Sequence, residues 1–328
     1  IRPFRPDEAL QVARLFWLAY GYSYKNESFY RPEGMLDLVA RDKLVSHVAV
    51  TRDGEVVGHA GLIRPEPVPM AELGLLIVSP AHRGRRLMER FAESLSAAAE
   101  DMGLFGVSVN PVTSHFVSQR QSLAIGAKAC GMELAACPPR VFKAMKGTDE
   151  IIQRESYLHC FKYLADPPPA RVHIPEHHRA MVERIYDGLG RPLVQGADEA
   201  ENTQGKYSVS FDRGLSKGLV RVTQAGSGQW PEIQRAATDL LDIAGAEVVH
   251  IDLPLAQAAT VSLCEQAESA GFVFAGVWPH AADDGDMLRL TRVAATFDFA
   301  KLRLHSDFVH ELAEYIAGRM ARANPSGN

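Results

Sequence analysis

Cysteine is scarce in this chain. Four residues (Cys130, Cys137, Cys160 and Cys264) among 328 cannot build a disulfide framework, and none forms a C-x-x-C pair, which removes zinc-ribbon and thioredoxin-type sites. Reduced, buried thiols in a cytoplasmic protein are the expectation. Long apolar runs are missing too. No stretch approaches the ~18 uninterrupted apolar residues of a bilayer-spanning helix, and the opening IRPFRPDEAL has no secretory apolar core. Nor is there an excess of basic charge. Lys and Arg number 35 against 40 Asp and Glu, a net charge of −5. That balance argues against a nucleic-acid binder held by phosphate neutralisation, and neither nucleic acid nor membrane is expected as a partner. With 46% apolar and 23% charged residues, the composition is that of a globular protein rather than a disordered one.

The length is about twice that of a usual domain, so two domains are expected. The clearest boundary is ADPPPA at 165–170, because consecutive prolines can neither continue a helix nor pair in a central strand. This divides the chain into 1–166 and 171–328.

The first half reads as alternating strands and helices. Apolar spacing predicts a helix over 7–19. Strands at 45–51 and 55–63 flank Asp53-Gly54, a strong hairpin signal. MAELGLLIV (70–78) is a third strand, and 84–102 is helical, with Leu87, Phe91 and Leu95 along one face. A strand at 106–110 precedes a helix over 115–125 that ends at Gly126. Strands at 128–136 and 155–164 complete the sheet. The second half repeats much of this order: strand RVHI, helix 175–187, strands 206–211 and 218–223, helix 231–244, strand EVVHIDLP, helix 256–270, then strands FVFAGVW and DMLRLTRV. A terminal helix at 305–321 has no counterpart in the first half.

The segment that carries chemistry is MAELGLLIVSPAHRGRRLMERF (70–91). An apolar strand ends at Val78, a turn contains Ser79-Pro80, and Arg83-Gly84-Arg85-Arg86 opens an amphipathic helix. This is an anion cradle. Amides at a helix N-terminus are unsatisfied and sit in the positive end of the helix dipole. Gly84 permits close backbone approach, and three arginines can pair with phosphate oxygens. A solvated basic helix start would explain 79–86 alone; with the Leu-Leu-Ile-Val strand before it and a strand-helix pair after it, a diphosphate site is the better reading.

The arrangement resembles the GNAT (Gcn5-related N-acetyltransferase) superfamily, whose R/Q-x-x-G-x-G/A loop holds the pyrophosphate of acetyl-CoA between a strand and a helix. The resemblance covers about the first 140 residues in element order, and its motif is carried by 72–91 and by 109–126. Arg83 matches the loop, but Arg86 and Met88 stand where the family has Gly and Gly or Ala. Such residues fit if the backbone there is already helical. The resemblance implies an α/β (α+β) GNAT fold, with a mixed, mostly antiparallel sheet and flanking helices. It implies acetyl-CoA as acyl donor, bound by Leu76, Ile77 and Val78 pairing like a strand with the pantetheine arm, and by Arg83, Gly84, Arg85, Arg86, Leu87 and Met88 at the diphosphate.

Glu72 sits where histone-acetyltransferase-like members carry a general base. An ammonium must lose a proton before it can attack a thioester, and a carboxylate beside apolar strand residues suits that role. A surface carboxylate on a strand is the plain alternative. Counting back from Gly126, Ser122 occupies the family's customary Tyr position and His115 its customary Asn position. Serine is a poor acid for protonating a departing thiolate, though a thiolate with a pKa near ~8.5 can leave without full protonation. His115 is a candidate CoA contact or acid, or only a helix cap, and the acid stays unassigned.

AYGYSYKNESFY (19–30) concentrates Tyr20, Tyr22, Tyr24, Phe29 and Tyr30 where family members line the acceptor site. These rings either hold an amine by cation–π contacts or pack their loop onto the sheet. His173, His177 and His178 do not make a metal site by spacing: Pro175 interrupts them and no acidic or cysteine partner completes a set, so no metal is expected. Arg2, Arg5, Arg319 and Arg322 read as solvated. Asp283, Asp284 and Asp286 around Gly285 fall short of a calcium loop and read as an acidic turn.

The second half has TQAGSGQWP in place of the basic loop. It resembles a degenerate GNAT-like domain, as in bacterial two-domain proteins that pair such a half with a GNAT domain. It is expected to shape or cover the acceptor site or to mediate homodimerisation. The sequence therefore points to transfer of an acetyl or short acyl group from acyl-CoA to a primary amine of unknown identity, by direct attack in a ternary complex. A module that senses acyl-CoA or docks a partner without turnover is the alternative.

Overall fold

The computed structural model describes residues 1–24, 26–64, 68–139, 153–196 and 203–323. In the first half the short β1 (Arg2–Pro3) leads to α1 (Ala9–Tyr20) and α2 (Pro32–Ala40). Helix α1 buries Val12, Leu15 and Phe16, and it stops at Gly21, whose φ of 59° no helix continues. Pro32 opens α2 at a first-turn position where its missing N–H costs nothing. Strands β2 (Leu44–Val50) and β3 (Val56–Ile63) form the expected hairpin, with Gly54 at a φ of 85° in its turn. They are followed by β4 (Met70–Val78), α3 (Leu87–Asp101), β5 (Gly106–Val109), α4 (Val117–Ala124), β6 (Lys128–Cys137) and β7 (Glu155–Tyr163).

The second half contains β8 (Ala170–Val172), α5 (Arg179–Leu189), β9 (Leu193–Gln195), β10 (Lys206–Asp212), β11 (Lys217–Gln224), α6 (Trp230–Asp242), β12 (Val248–Pro254), α7 (Thr260–Ser269), β13 (Val273–Ala282), β14 (Gly285–Val293) and α8 (Asp307–Ala323). The expected strand RVHI does not enter the main sheet. Its first residues fall in β8, which pairs in parallel with β9 as a separate two-stranded sheet.

The remaining twelve strands form one mixed sheet in the order β1-β2-β3-β4-β5-β7-β6-β13-β14-β12-β11-β10. From β3 the first half runs antiparallel to β4, parallel to β5, then antiparallel through β7 and β6. From β10 the second half runs antiparallel to β11, parallel to β12, then antiparallel through β14 and β13. The order and sense of five strands are thus repeated, with α3 and α6 in matching crossovers. The two copies meet edge to edge where β6 pairs antiparallel with β13.

Residues on one face of this sheet pack under α3 and under α5–α8. Val109 and Ile125 join the two hydrophobic clusters there. Strands β6 and β7 contribute Met132, Leu134 and Leu158 to the same cluster as Tyr186 of α5 and Ile316 of α8. The opposite face carries α1 and α2 over β2–β4. All four cysteines are buried and free, and burial pushes the Cys160 thiol up to about 12. Among the described residues no helix is long and apolar enough to cross a membrane.

Candidate functional site

Strand β4 changes partners along its length. Its first residues pair in parallel with β5, and that register ends at Glu72 opposite Ser108. On its other side β4 stays paired with β3 as far as Val78 opposite Gly58. The β5-facing edge of residues 73–78 therefore has no strand partner among the described residues. Unpaired backbone N–H and C=O groups on such an edge recruit another extended chain. The expected positions Leu76, Ile77 and Val78 lie along it.

A β-bulge shapes this edge. Between His59 opposite Ile77 and Gly61 opposite Gly74 the register slips, and Leu75 adopts a φ of 58°. Ala71 and Leu73 consequently face the α3 cluster, whereas Leu75 and Ile77 face the α1/α2 cluster. His59 secures the bulge. It is wholly buried, its Nδ1 stands 3.1 Å from the Leu75 carbonyl, and its Nε2 lies 2.8 Å from Ser46 Oγ. A carbonyl only accepts, so Nδ1 carries the proton and Nε2 accepts from the Ser46 hydroxyl. Burial pushes the His59 pKa down to about 4, which keeps this arrangement neutral.

The turn after β4 runs through a short 3-10 segment, Pro80–His82, into α3. Helix α3 begins at Leu87, later than the expected 84, and Arg86 is its N-cap. Arg86 has a φ of 56° and a ψ of 28°, so the backbone at this position is left-handed and not helical as anticipated. A left-handed non-glycine residue costs roughly 1–2 kcal/mol, which explains why glycine suits the place. Gly84 also has a positive φ, 77°, with open space where a Cβ would lie. The α3 N-terminus has no side-chain cap. Its leading amides are thus available to an anion, and the exposed Arg83, Arg85 and Arg86 surround it. Arg86 also pairs with Glu89 one turn on. These features fit a diphosphate.

Glu72 is partly buried on β4, on the strand face opposite Ala71 and Leu73. A Cβ on Gly74 would stand 3.4 Å from Glu72 Oε1, an ordinary van der Waals contact, so the carboxylate lies beside this position. His115 precedes α4, which starts at Val117 rather than 115. It is partly buried, burial lowers its pKa, and its carbonyl accepts from Gln119 Nε2 at 3.1 Å. Ser122 is buried, and its hydroxyl donates to the Ser118 carbonyl at 2.9 Å. Its proton is engaged within the helix. Leu87 and Met88 form the first turn of α3 and follow directly from the arginine loop.

The aromatic segment packs mainly on itself and on α1. Phe29 stacks on Phe16 at 4.8 Å, Tyr24 lies edge-on to Phe16 at 5.1 Å, and the Tyr30 hydroxyl accepts from the Tyr24 amide at 2.9 Å. Tyr22, 85% exposed, is the ring most open to a ligand.

Periodicity gives no sign of a polar stack that spans β7, β13, β14 and β12 and begins just past the end of β5. His159 Nδ1 meets Asn110 Oδ1 at 3.0 Å, and the His159 ring stacks on Trp278 at 4.6 Å. The Arg289 guanidinium lies 4.1 Å from the centre of the Trp278 ring, and Arg289 grips both oxygens of Asp252 at 2.6 and 2.8 Å. Burial, with the nearby Arg289 cation, pushes His159 down to about 3. Asn110 lies two residues beyond Ser108, the register partner of Glu72, so strand alternation carries this stack along the Glu72 side of the sheet. In the second half, the turn corresponding to the arginine loop is closed internally, with Gln257 Oε1 accepting from the Ala225 amide at 2.6 Å.

Some charged residues expected to be solvated are engaged. Arg2 pairs with buried Glu8, and Arg319 donates to the His177 carbonyl. Asp286 is no turn acid: it is 2% exposed and ion-paired with Arg191 at 2.7 Å.

Residues 9–118 match the family model described as the acetyltransferase (GNAT) family. That segment is a GNAT-family domain. The chain is also similar to an aminoglycoside 6'-acetyltransferase type Ii, with 18% identity over 51% of this chain and 97% of that one, at a TM-score of 0.38. A ribosomal-protein-S5-alanine acetyltransferase from Vibrio fischeri matches with 15% identity over 50% and 92%, at a TM-score of 0.39. A spermidine N-acetyltransferase chimera from Vibrio cholerae and hSSAT matches with 14% identity over 50% and 95%, at a TM-score of 0.40. No curated protein matches the chain.

Proposed function

We propose that this GNAT-family domain transfers an acetyl or short acyl group from acyl-CoA to a primary amine by direct attack in a ternary complex in the cytoplasm. The observation that carries the reading is the unpaired edge of β4 leading straight into an uncapped helix N-terminus beside Gly84. The edge suits the amide-bearing arm of CoA, and the loop suits its diphosphate. Bound acyl-CoA supplies the thioester carbonyl that the amine attacks.

Leu76, Ile77 and Val78 offer backbone groups to the arm. The α3 amides and Arg83, Arg85 and Arg86 neutralise the diphosphate, with Leu87 and Met88 completing the first helical turn. Glu72, at the point where β4 and β5 part, takes the proton from the acceptor ammonium. The C–N bond then forms, the C–S bond breaks, and the thiolate leaves. A buried serine with its proton engaged does not serve as acid, so the thiolate departs with solvent or with His115 as proton source. The acceptor approaches on the Glu72 side of the sheet, with Tyr22 as the exposed ring and the partly buried Asn110 as a polar group held from behind by His159.

Isothermal titration with acetyl-CoA tests the reading, with Arg83→Ala and Gly84→Pro as controls. One saturable site lost in both controls supports it, and an acceptor screen follows. Absence of binding by the folded wild-type chain overturns it. Saturable binding with no single-turnover release of CoA under any amine favours the sensing alternative.

A further inference from the structure

Away from this site, three side chains distant in sequence converge on the helical face of the second half. His177 and His178 lie in the short 3-10 turn that precedes α5, and Glu268 lies near the end of α7. The acidic partner missing from the local sequence thus arrives from 91 residues away. His177 Nε2 stands 2.5 Å from Glu268 Oε2, and His178 Nε2 stands 3.0 Å from Glu268 Oε1. One donor atom from each of the three lies within 4.8 Å of the others.

The hydrogen bonds behind these groups orient them. Tyr315 of α8 donates its hydroxyl proton to the His177 carbonyl at 3.1 Å and accepts from Arg319 at 3.1 Å. Arg319 reaches the same carbonyl at 2.8 Å. His178 Nδ1 is 2.6 Å from the Tyr315 oxygen. With the hydroxyl proton on the carbonyl, Nδ1 donates to the Tyr315 oxygen, and in that tautomer the neutral ring carries its lone pair on Nε2. That nitrogen belongs to a fully buried side chain and faces a carboxylate oxygen at 3.0 Å. In that tautomer two lone pairs face each other, an arrangement that a cation between them satisfies. Either a metal ion or a second ring proton fills that place.

We propose that His177, His178 and Glu268 hold a divalent transition-metal ion of the zinc class. Two imidazoles and a carboxylate are a ligand set for such an ion, whose bonds of about 2.0–2.1 Å place tetrahedral donors roughly 3.3 Å apart. The three donors lie within 4.8 Å of one another, and the two histidine–glutamate separations, 2.5 and 3.0 Å, would open to reach that spacing. The Tyr315 contact on Nδ1 is the outer-shell bond that fixes a ligating histidine in its tautomer. His177 is about one-third exposed, which leaves one position open to water. The ion ties the start of α5 to α7, with α8 supporting it from behind.

The test is titration of the full chain, first stripped with a chelator, with Zn²⁺ by calorimetry and with Co²⁺ by visible absorption. One Zn²⁺ per chain, a Co²⁺ absorption band and a raised Tm are expected. Glu268→Gln and His177→Gln should each weaken binding by at least about tenfold, and Tyr315→Phe by about tenfold through the loss of orientation. His177 is partly exposed, so its variant decides the matter if Glu268→Gln does not fold. No saturable Zn²⁺ binding by the folded wild-type chain overturns the proposal, as does binding that survives both ligand substitutions. Protection by low pH alone, without metal binding, also overturns it and leaves an imidazolium–carboxylate pair.

Discussion

Gly276 of β13 stands in register with Gly131 of β6, and a Cβ at Gly276 would fall 2.2 Å from the Gly131 Cα. The two copies of the strand pattern join at this contact, with Gly276 at a φ of 134°. A Cβ on Gly131 would in turn fall 2.8 Å from the Trp278 ring. The join and the His159–Trp278–Arg289 stack therefore share one close-packed point.

Gly276→Ala is expected to destabilise the protein strongly. The substitution meets backbone, which cannot rotate away, and it also imposes an unfavourable φ. A loss of about 3 kcal/mol or more is expected in urea unfolding, in the range of severe single substitutions. An unchanged midpoint would show that β6 and β13 can separate at little cost.

Arg86→Gly should act in the opposite direction. Arg86 is left-handed, and its partner Glu89 is an exposed i,i+3 contact. Such surface pairs contribute between nothing and ~1 kcal/mol, about the size of the backbone strain or less. A small rise in Tm is expected, with acetyl-CoA affinity reduced because one of the three cations at the diphosphate is lost. Unchanged affinity would show that the Arg86 side chain does not contact the phosphates.

The first half is largely legible in the sequence because its signals are local. The Asp53-Gly54 turn, the apolar run ending at Val78 and the Leu87/Phe91/Leu95 face each lie within one element. The bulge at Leu75 leaves no trace, because burial alternates along β4 without interruption while the strand switches faces beneath it. The Asn110, His159, Trp278, Arg289 and Asp252 stack draws on both halves of the chain, and no spacing rule reaches across a sheet. The conformation of Arg86 is hidden for a related reason: helical periodicity specifies which residues face the core, but the exact cap depends on φ. The three-histidine segment lacks an acid only in sequence, since Glu268 arrives through the packing of α7.

Acid should destabilise the fold through its buried histidines. His59 and His159 have folded pKa values of about 4 and about 3, below the ordinary 6.5. Between the folded and ordinary values the unfolded chain binds protons that the folded chain refuses, so stability is complete above about pH 6.5 and falls as pH drops toward the folded values. A tenfold weaker proton affinity corresponds to about 1.4 kcal/mol, so each histidine contributes a loss of the order of a few kcal/mol. In His59→Asn the amide can still donate to the Leu75 carbonyl. That variant should shed one proton's worth of the slope between about pH 4 and the ordinary 6.5. An unaltered slope would place the acid sensitivity elsewhere.

Glu72→Gln separates a base from a structural carboxylate. The amide keeps the shape of the side chain beside Gly74 but cannot take a proton from an ammonium. If Glu72 is the base, kcat should fall by about 10²–10⁴-fold while acetyl-CoA affinity stays nearly constant. The loss should shrink at high pH, where the acceptor amine sheds its proton to solvent without help, and the acidic limb of the wild-type pH–rate profile should disappear. Equal losses of turnover and of acetyl-CoA affinity, with no change in the form of the profile, would reassign Glu72 to holding the point where β4 and β5 diverge.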